Sequence, residues 1–308
     1  GMVVSGASFG DKMSPVSDTT NLAAMSADTD LYSHIKSMMY TTVPTYIICL
    51  ILFTLVGLHY SGQTLSASEL IELKQHLAIE FSINPLTLLP LIVLLVLSIK
   101  RTPAEASMLA SVATAVVLAV AMQDRTVTEV LNSLHVGYIA DTGLDRLDAL
   151  LSRGGIESMM WTMSLALLAL SLGGILDRAG FVRVLLSGLL RRIKRSASLM
   201  AATIGAGIAA NMSMGEAYLS IIFGGQIFKD SYEEDNLEKH MLSRCLEEGA
   251  TLSTPLIPWT TSGAFITGVI GMSPLEYAPW AFFNYINPLL SIALAYMGFG
   301  IFRQHRDP

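Results

Sequence analysis

Gly6-Ala7-Ser8-Phe9-Gly10-Asp11-Lys12-Met13-Ser14-Pro15-Val16-Ser17-Asp18-Thr19-Thr20 sets two carboxylates, several hydroxyls, two glycines and a proline between apolar segments. A helix cannot run undisturbed through Pro15, because the ring removes a hydrogen bond and clashes with the preceding turn. Two readings fit this stretch. Broken backbone inside a membrane is tolerated where it is buried in protein or lines a wet cavity, and there it offers carbonyls and helix ends to ions. The plainer reading is a polar surface loop with a helix cap.

Composition supports the membrane setting. Apolar residues make up 52% of the 308 and charged residues 14%, against roughly 25% charged in a soluble domain. Uncharged runs of about 20 residues, enough to cross a bilayer, recur along the chain. The expected class is an all-α polytopic membrane protein, surrounded by lipid. The net charge, 19 − 25 = −6, comes with no basic patch interleaved with aromatics, so no nucleic-acid partner is expected. Cys49 and Cys245 stand far apart outside any metal-spaced motif and read as apolar filler.

Along the chain, Ser37 to Leu58 is the first uncharged span, with Pro44 near its start. Ser66-Ala67-Ser68-Glu69 reads as a capping box opening a polar helix to about Glu80. Phe81 to Ile99 is long enough to cross, and Glu105 caps the next span, Ala106 to Gln123. Residues 124–155 form a polar connection with two short amphipathic stretches, and Ser158 to Leu176 crosses again. The segment 178–195 carries six bases and no acid beside an apolar face, as an amphipathic helix at a membrane surface does. Ser196 to Gly215 is rich in small residues, including Gly205 and Gly207, that let helices approach closely. Ala217 to Phe228 is too short to cross unless it pairs with that segment. Gly249 to Leu275, with Pro255, Pro258 and Pro274, should be broken or re-entrant, and Tyr277 to Phe302 crosses last. The basic segment sets 178–195, Lys100-Arg101 and the C-terminus on the cytoplasmic side.

An internal echo links Gly6-Ala7-Ser8 and Ser14-Pro15…Thr19-Thr20 to Gly249-Ala250-Thr251 and Thr254-Pro255…Thr260-Thr261. Each is followed by a span bearing a proline, Pro44 or Pro288. Oppositely directed repeats with paired discontinuous helices are a transporter pattern.

The run Phe9-Gly10-Asp11-Lys12-Met13-Ser14-Pro15-Val16-Ser17-Asp18-Thr19-Thr20-Asn21-Leu22-Ala23 resembles the NhaC-type sodium/proton antiporters. So do His34-Ile35-Lys36, Tyr40-Thr41-Thr42-Val43-Pro44 and Leu246-Glu247-Glu248-Gly249. The similarity extends to Ser253-Thr254-Pro255-Leu256-Ile257-Pro258-Trp259-Thr260-Thr261 and Ala281-Phe282-Phe283-Asn284-Tyr285-Ile286-Asn287-Pro288. It implies a transporter bundle with inverted repeats and broken helices, exchanging sodium for protons by alternating access across a bacterial-type plasma membrane. It also implies that further helices precede residue 1, making 1–308 one N-terminally truncated transporter domain. Within it we expect a first broken helix plus span (1–58), a polar connection (59–85), a helical hairpin (86–123) and a second connection (124–155). A second transmembrane block (156–245) and a second broken helix plus final span (246–308) complete the division. Relatives in this group include dicarboxylate/lactate exchangers, so coupled exchange of a small organic anion such as malate or lactate is the alternative, with Lys12 assisting. A homodimer is a candidate assembly.

Ionisable groups inside spans are costly and are functional candidates by default. Asp18 ranks first, among the oxygen donors Ser14, Ser17, Thr19 and Thr20 that suit a hard cation; its plainer role is a helix cap. Asp11 ranks second, although Lys12 beside it could neutralise it. Glu216 ranks third, where the family usually has an aspartate followed by glutamine; Ser213-Met214-Gly215-Glu216 also fits a capping box. Thr260 and Thr261 offer hydroxyls from the second break, though threonines in apolar helices often back-bond to carbonyls. Glu247 and Glu248 read as solvated at the mouth of a span. The expected mechanism is competition, in which sodium and a proton displace one another from a carboxylate. No cofactor is expected, and with no HExxH, GxSxG or phosphate loop the chain does not read as an enzyme.

Overall fold

The computed structural model describes residues 1–15, 17–60, 67–100, 102–123, 125–152, 154–180 and 195–304. The expected cap at Ser66 and most of the basic segment 178–195 lie outside them. Among the described residues the regular elements are helical, with one isolated bridge between Leu237 and Arg303. Leu31–Tyr60, Glu105–Met122, Ile156–Leu176 and Ser196–Met214 are long and apolar enough to cross a membrane. On Leu31–Tyr60 the side chains of Ile47, Ile51, Leu55 and Leu58 are 52–65% exposed along one face, while His34, Ser37, Thr41 and Thr45 are buried on another. Apolar outside and polar inside is the arrangement a lipid solvent selects. The chain is an all-α, multi-pass membrane protein.

The described residues divide into two compact units, one of residues 60–161 and the other of 1–59 with 162–308. In the first, Leu89–Ile99 packs against Ala104–Met122, and Ser111 Oγ donates to the Pro90 carbonyl at 2.8 Å. The segment expected to cross from Phe81 to Ile99 makes its regular helix from Pro85 onward, and together with Leu73–Glu80 it is apolar and long enough for one broken span. Asn84 caps a 3-10 turn at Pro85–Leu88, and the axis bends by 83° between Leu73–Glu80 and Pro85–Ile99. Proline at the head of that turn cannot donate to a helix running through from Glu80.

The larger unit holds the broken helices. Met2–Met13 ends because Ser14 precedes Pro15 and takes an extended backbone (φ −82, ψ 125), as residues before proline do. Asp18–Ser26 then restarts behind Ser17. Ser196–Met214 closes on Gly215 in the left-handed region (φ 70), and Ala217–Glu234 packs beside it rather than continuing it. Lys239–Leu246 passes into a π turn at Glu247–Thr251, a 3-10 turn at Thr254–Leu256 and a short helix at Thr261–Ile270. The discontinuity expected between Gly249 and Leu275 is therefore present. The last helix is shorter than expected, Phe282–Tyr296 with Pro288 inside. Outside the spans, Asp28 accepts from Lys239 Nζ at 2.6 Å, with Lys229 at 3.8 Å, and the Lys239 ammonium holds the Asp28 carboxyl below its usual range.

Two contacts fix the π turn in place. Gly249 lies so close to Ser196–Met214 that an added Cβ would meet the Ile204 carbonyl oxygen at 2.5 Å. The absence of a side chain permits that approach. On its other side, the Lys12 ammonium is sealed in the protein, 3.3 Å from Glu248 Oε1 and 2.5 Å from Asn287 Oδ1. Thr41 Oγ1 donates to the same Glu248 oxygen at 2.5 Å, and Asn287 Nδ2 donates to Thr45 Oγ1 at 3.0 Å. Four segments of the chain thus meet at one ion pair.

Truncating one member of a buried pair strands the other and costs about 3–5 kcal/mol. Lys12→Met should therefore lower the melting temperature of the detergent-solubilised protein sharply, and adding Glu248→Gln should recover much of the loss. Gly249→Ala should destabilise in the same thermal assay, whereas Gly205→Ala, whose Cβ would meet nothing within 4 Å, should leave the melting temperature near wild type.

Candidate functional site

The site is built where helices stop. The first break spans Ser14 to Ser17, the second is Gly215-Glu216, and the third runs from the π turn to Thr260. The backbones of the second and third meet, where the Thr261 amide donates to the Gly215 carbonyl at 3.0 Å. Three helices begin here, Asp18–Ser26, Ala217–Glu234 and Thr261–Ile270, and the first amides of each lack a partner within their own helix and carry partial positive charge. Carboxylates are favoured at such positions.

Asp11 is exposed, and its Oδ1 accepts from Ser17 Oγ at 2.8 Å. Ser17 and Thr19 hydroxyls lie 3.1 Å apart. Thr19 Oγ1 stands 3.5 Å from Asp11 Oδ2 and 3.3 Å from Glu247 Oε1, bridging the first break to the third. Asp18, also exposed, accepts from its neighbour's amide and from the Tyr218 hydroxyl. Ser17, not Asp18, holds the cap position, since Asp18 is the first helical residue.

Glu216 is 8% exposed and caps its own helix, with Oε1 3.4 Å from the Tyr218 amide. That corrects the capping box expected to begin at Ser213, because the left-handed Gly215 ends one helix before Glu216 starts the next. Its other oxygen accepts from Thr261 Oγ1 at 2.6 Å. Tyr218 therefore joins Asp18 to Glu216, and Thr261 joins Glu216 to the third break.

The remaining candidates do backbone work. Thr20 is fully buried and directs its hydroxyl at the Asp11 and Lys12 carbonyls, 3.3 and 3.2 Å away, at the open end of the first helix. Thr260 donates to the Thr254 and Ile257 carbonyls at 2.5 and 2.8 Å and caps Gly263. Ser14 lies in the break itself, its amide on the Asp11 carbonyl at 3.2 Å.

Glu247 and Glu248 overturn the solvated reading, since both are 0% exposed. The π turn rolls the chain inward at the point where its apolar run begins. Lys12 likewise does not neutralise its neighbour Asp11; it faces the opposite way, into Glu248. Sequence reasoning also passed over Thr41, Thr45 and Asn287. Their signal was spacing: Ser37, Thr41 and Thr45 recur every four residues, and Asn284, Asn287 and Ser291 three and four apart, each a polar stripe on an apolar helix.

The Na+/H+ antiporter family profile matches residues 6–299. The chain is 38% identical to the Na(+)/H(+) antiporter NhaC of Alkalihalophilus pseudofirmus and 35% identical to that of Bacillus subtilis, over 98% and 96% of its length. It is 30% identical, over 97% of its length, to a malate-2H(+)/Na(+)-lactate antiporter of Bacillus subtilis. The chain spans 65%, 66% and 64% of the lengths of these three relatives. No solved structure matches it. Matched along nearly all of its length by the family profile and by relatives of this identity, the chain belongs to the Na+/H+ antiporter family.

Proposed function

We propose that the protein containing this chain is a secondary transporter, not an enzyme, that exchanges sodium for protons across the plasma membrane by alternating access. One observation carries the reading. Three helix breaks converge, and Asp11, Asp18 and Glu216 stand at them in one network bridged by Ser17, Thr19, Tyr218 and Thr261. Hydroxyl and carboxylate oxygens are what a hard cation prefers. A carboxylate that can hold either sodium or a proton couples the two gradients without further machinery, provided the site opens to each side in turn.

The paired breaks near Pro15 and Pro255, each followed by a helix with an internal proline (Pro44 and Pro288), support an inverted-repeat architecture. In this reading the chain acts as one transporter domain, and a homodimer is its candidate assembly. Exchange of a small organic anion is the second reading, favoured by the malate/lactate relative. Against it, the helix starts already face Asp18 and Glu216, and Lys12 is sealed against Glu248 rather than open to an anion.

Everted membrane vesicles with an acid interior, made with the full-length protein, test the choice. Sodium alone should collapse the pH gradient, whereas potassium, lactate or malate alone should not. A response that needs the organic acid would favour the second reading. Asp18→Asn should abolish the sodium response while the protein still inserts, and undiminished exchange would remove Asp18 from the site. Asp11→Asn should raise the sodium concentration for half-maximal response by roughly tenfold or more, the equivalent of about 1.4 kcal/mol in cation affinity.

A further inference from the structure

Glu247 has a problem of its own that the rim carboxylates lack. It is 0% exposed, its Oε1 has one long hydroxyl contact from Thr19 at 3.3 Å, and its Oε2 has no partner. Beside it the Thr251 hydroxyl, 7% exposed, interacts with the Glu247 carboxyl but makes no hydrogen bond of good geometry. An ionised carboxylate cannot remain sealed from water without a compensating charge.

Among the described residues no cation forms a direct ion pair with Glu247, although Lys12 attracts it at longer range. Lys12 is the nearest cation, but its ammonium contacts Glu248 and Asn287. Arg244, on Lys239–Leu246, directs its guanidinium to the Ser37 and Gly300 carbonyls. On the same helix His240 faces Phe302, and Cys245 is a free buried thiol. His34 from the long helix is bonded to Ser243. Asp11 and Asp18 on the first two helices add negative charge, and Glu248 in the same turn is already paired. From Ala217–Glu234 come the hydroxyls of Tyr218, on Asp18, and Tyr232, on Thr203. Ser196–Met214 carries no ionisable side chain, and Phe282–Tyr296 carries only tyrosines.

We infer that Glu247, with Thr19 and Thr251, forms a sealed site for a monovalent cation, a proton or a sodium ion, beneath the exposed Asp11. The inference rests on the exchange reading above and deepens it. Thr19 is the hinge between the two levels, because its one hydroxyl lies within reach of both Asp11 and Glu247. A sodium ion entering past Asp11 exchanges its water for the Glu247, Thr19 and Thr251 oxygens, and the proton on Glu247 leaves by the same opening. Lys12–Glu248 remains an internally neutral pair throughout.

The test uses full-length protein purified in detergent, with a pH-indicator dye recording proton release when sodium chloride, but not choline chloride, is added. Wild type should release protons, and Glu247→Gln should abolish that release and raise the apparent sodium Kd by at least about tenfold. Release of wild-type size from Glu247→Gln would overturn the site while leaving sodium/proton exchange standing wherever wild-type vesicles still respond to sodium. Should Glu247→Gln fail to purify, Thr251→Val carries the test: a Kd raised several-fold supports the site, and an unchanged Kd overturns it. Wild type that neither releases protons nor responds in vesicles would sink the exchange reading first, and this site with it.

Discussion

A lysine sealed in a membrane protein must meet an anion, and Lys12 meets Glu248. That requirement reaches far beyond two side chains. It brings Met2–Met13 to the π turn, and Thr41 and Asn287 complete the coordination from two proline-bearing helices. Residues 11 and 12 and residues 247 and 248 are each adjacent in the chain, so one pairing constrains the other. With Lys12 turned to Glu248, Asp11 is left on the opposite side with Ser17, and Thr19 spans the distance to Glu247. The structural pair and the candidate exchanging pair are two faces of one register.

Broken backbone supplies the second constraint. In a medium without water, every interrupted helix leaves amides and carbonyls that need partners. Small polar side chains meet that need here. Thr20 closes the end of the first helix, Thr260 caps Thr261–Ile270, Asn211 Nδ2 reaches the Ala250 carbonyl at 2.6 Å, and Asn284 Nδ2 reaches the Leu252 carbonyl at 2.9 Å. Hydroxyls that look alike in sequence therefore divide into two kinds. Those of Thr20 and Thr260 are saturated by the backbone, while those of Ser17, Thr19 and Thr261 turn toward carboxylates.

Close packing is the third element. The small residues of Ser196–Met214 are not equivalent: Gly207 and Gly249 face one another's elements closely, whereas Gly205 looks into open space. Without that contact the π turn could not sit against the helix, and Glu247 and Glu248 would not be delivered to the interior. Composition alone marks the segment as suited to close approach; which glycine matters depends on what lies opposite.

By itself the sequence determined the class, the breaks and the family. Low charge and recurring apolar runs require a lipid solvent, Pro15 and the glycine- and proline-rich run after Glu248 cannot continue a helix, and the motifs at both ends resemble one antiporter group. These are local properties, readable because proline geometry and hydropathy act over a few residues. Asp11, Asp18 and Glu216 were legible for the same reason, as acids beside breaks. The partner of each charge was not. Lys12 lies 236 residues from Glu248, and Thr19 lies 228 from Glu247. Only the tertiary fold, by placing a π turn against the first break, decided which carboxylates are sealed and which face open space, because burial depends on what the rest of the chain brings alongside.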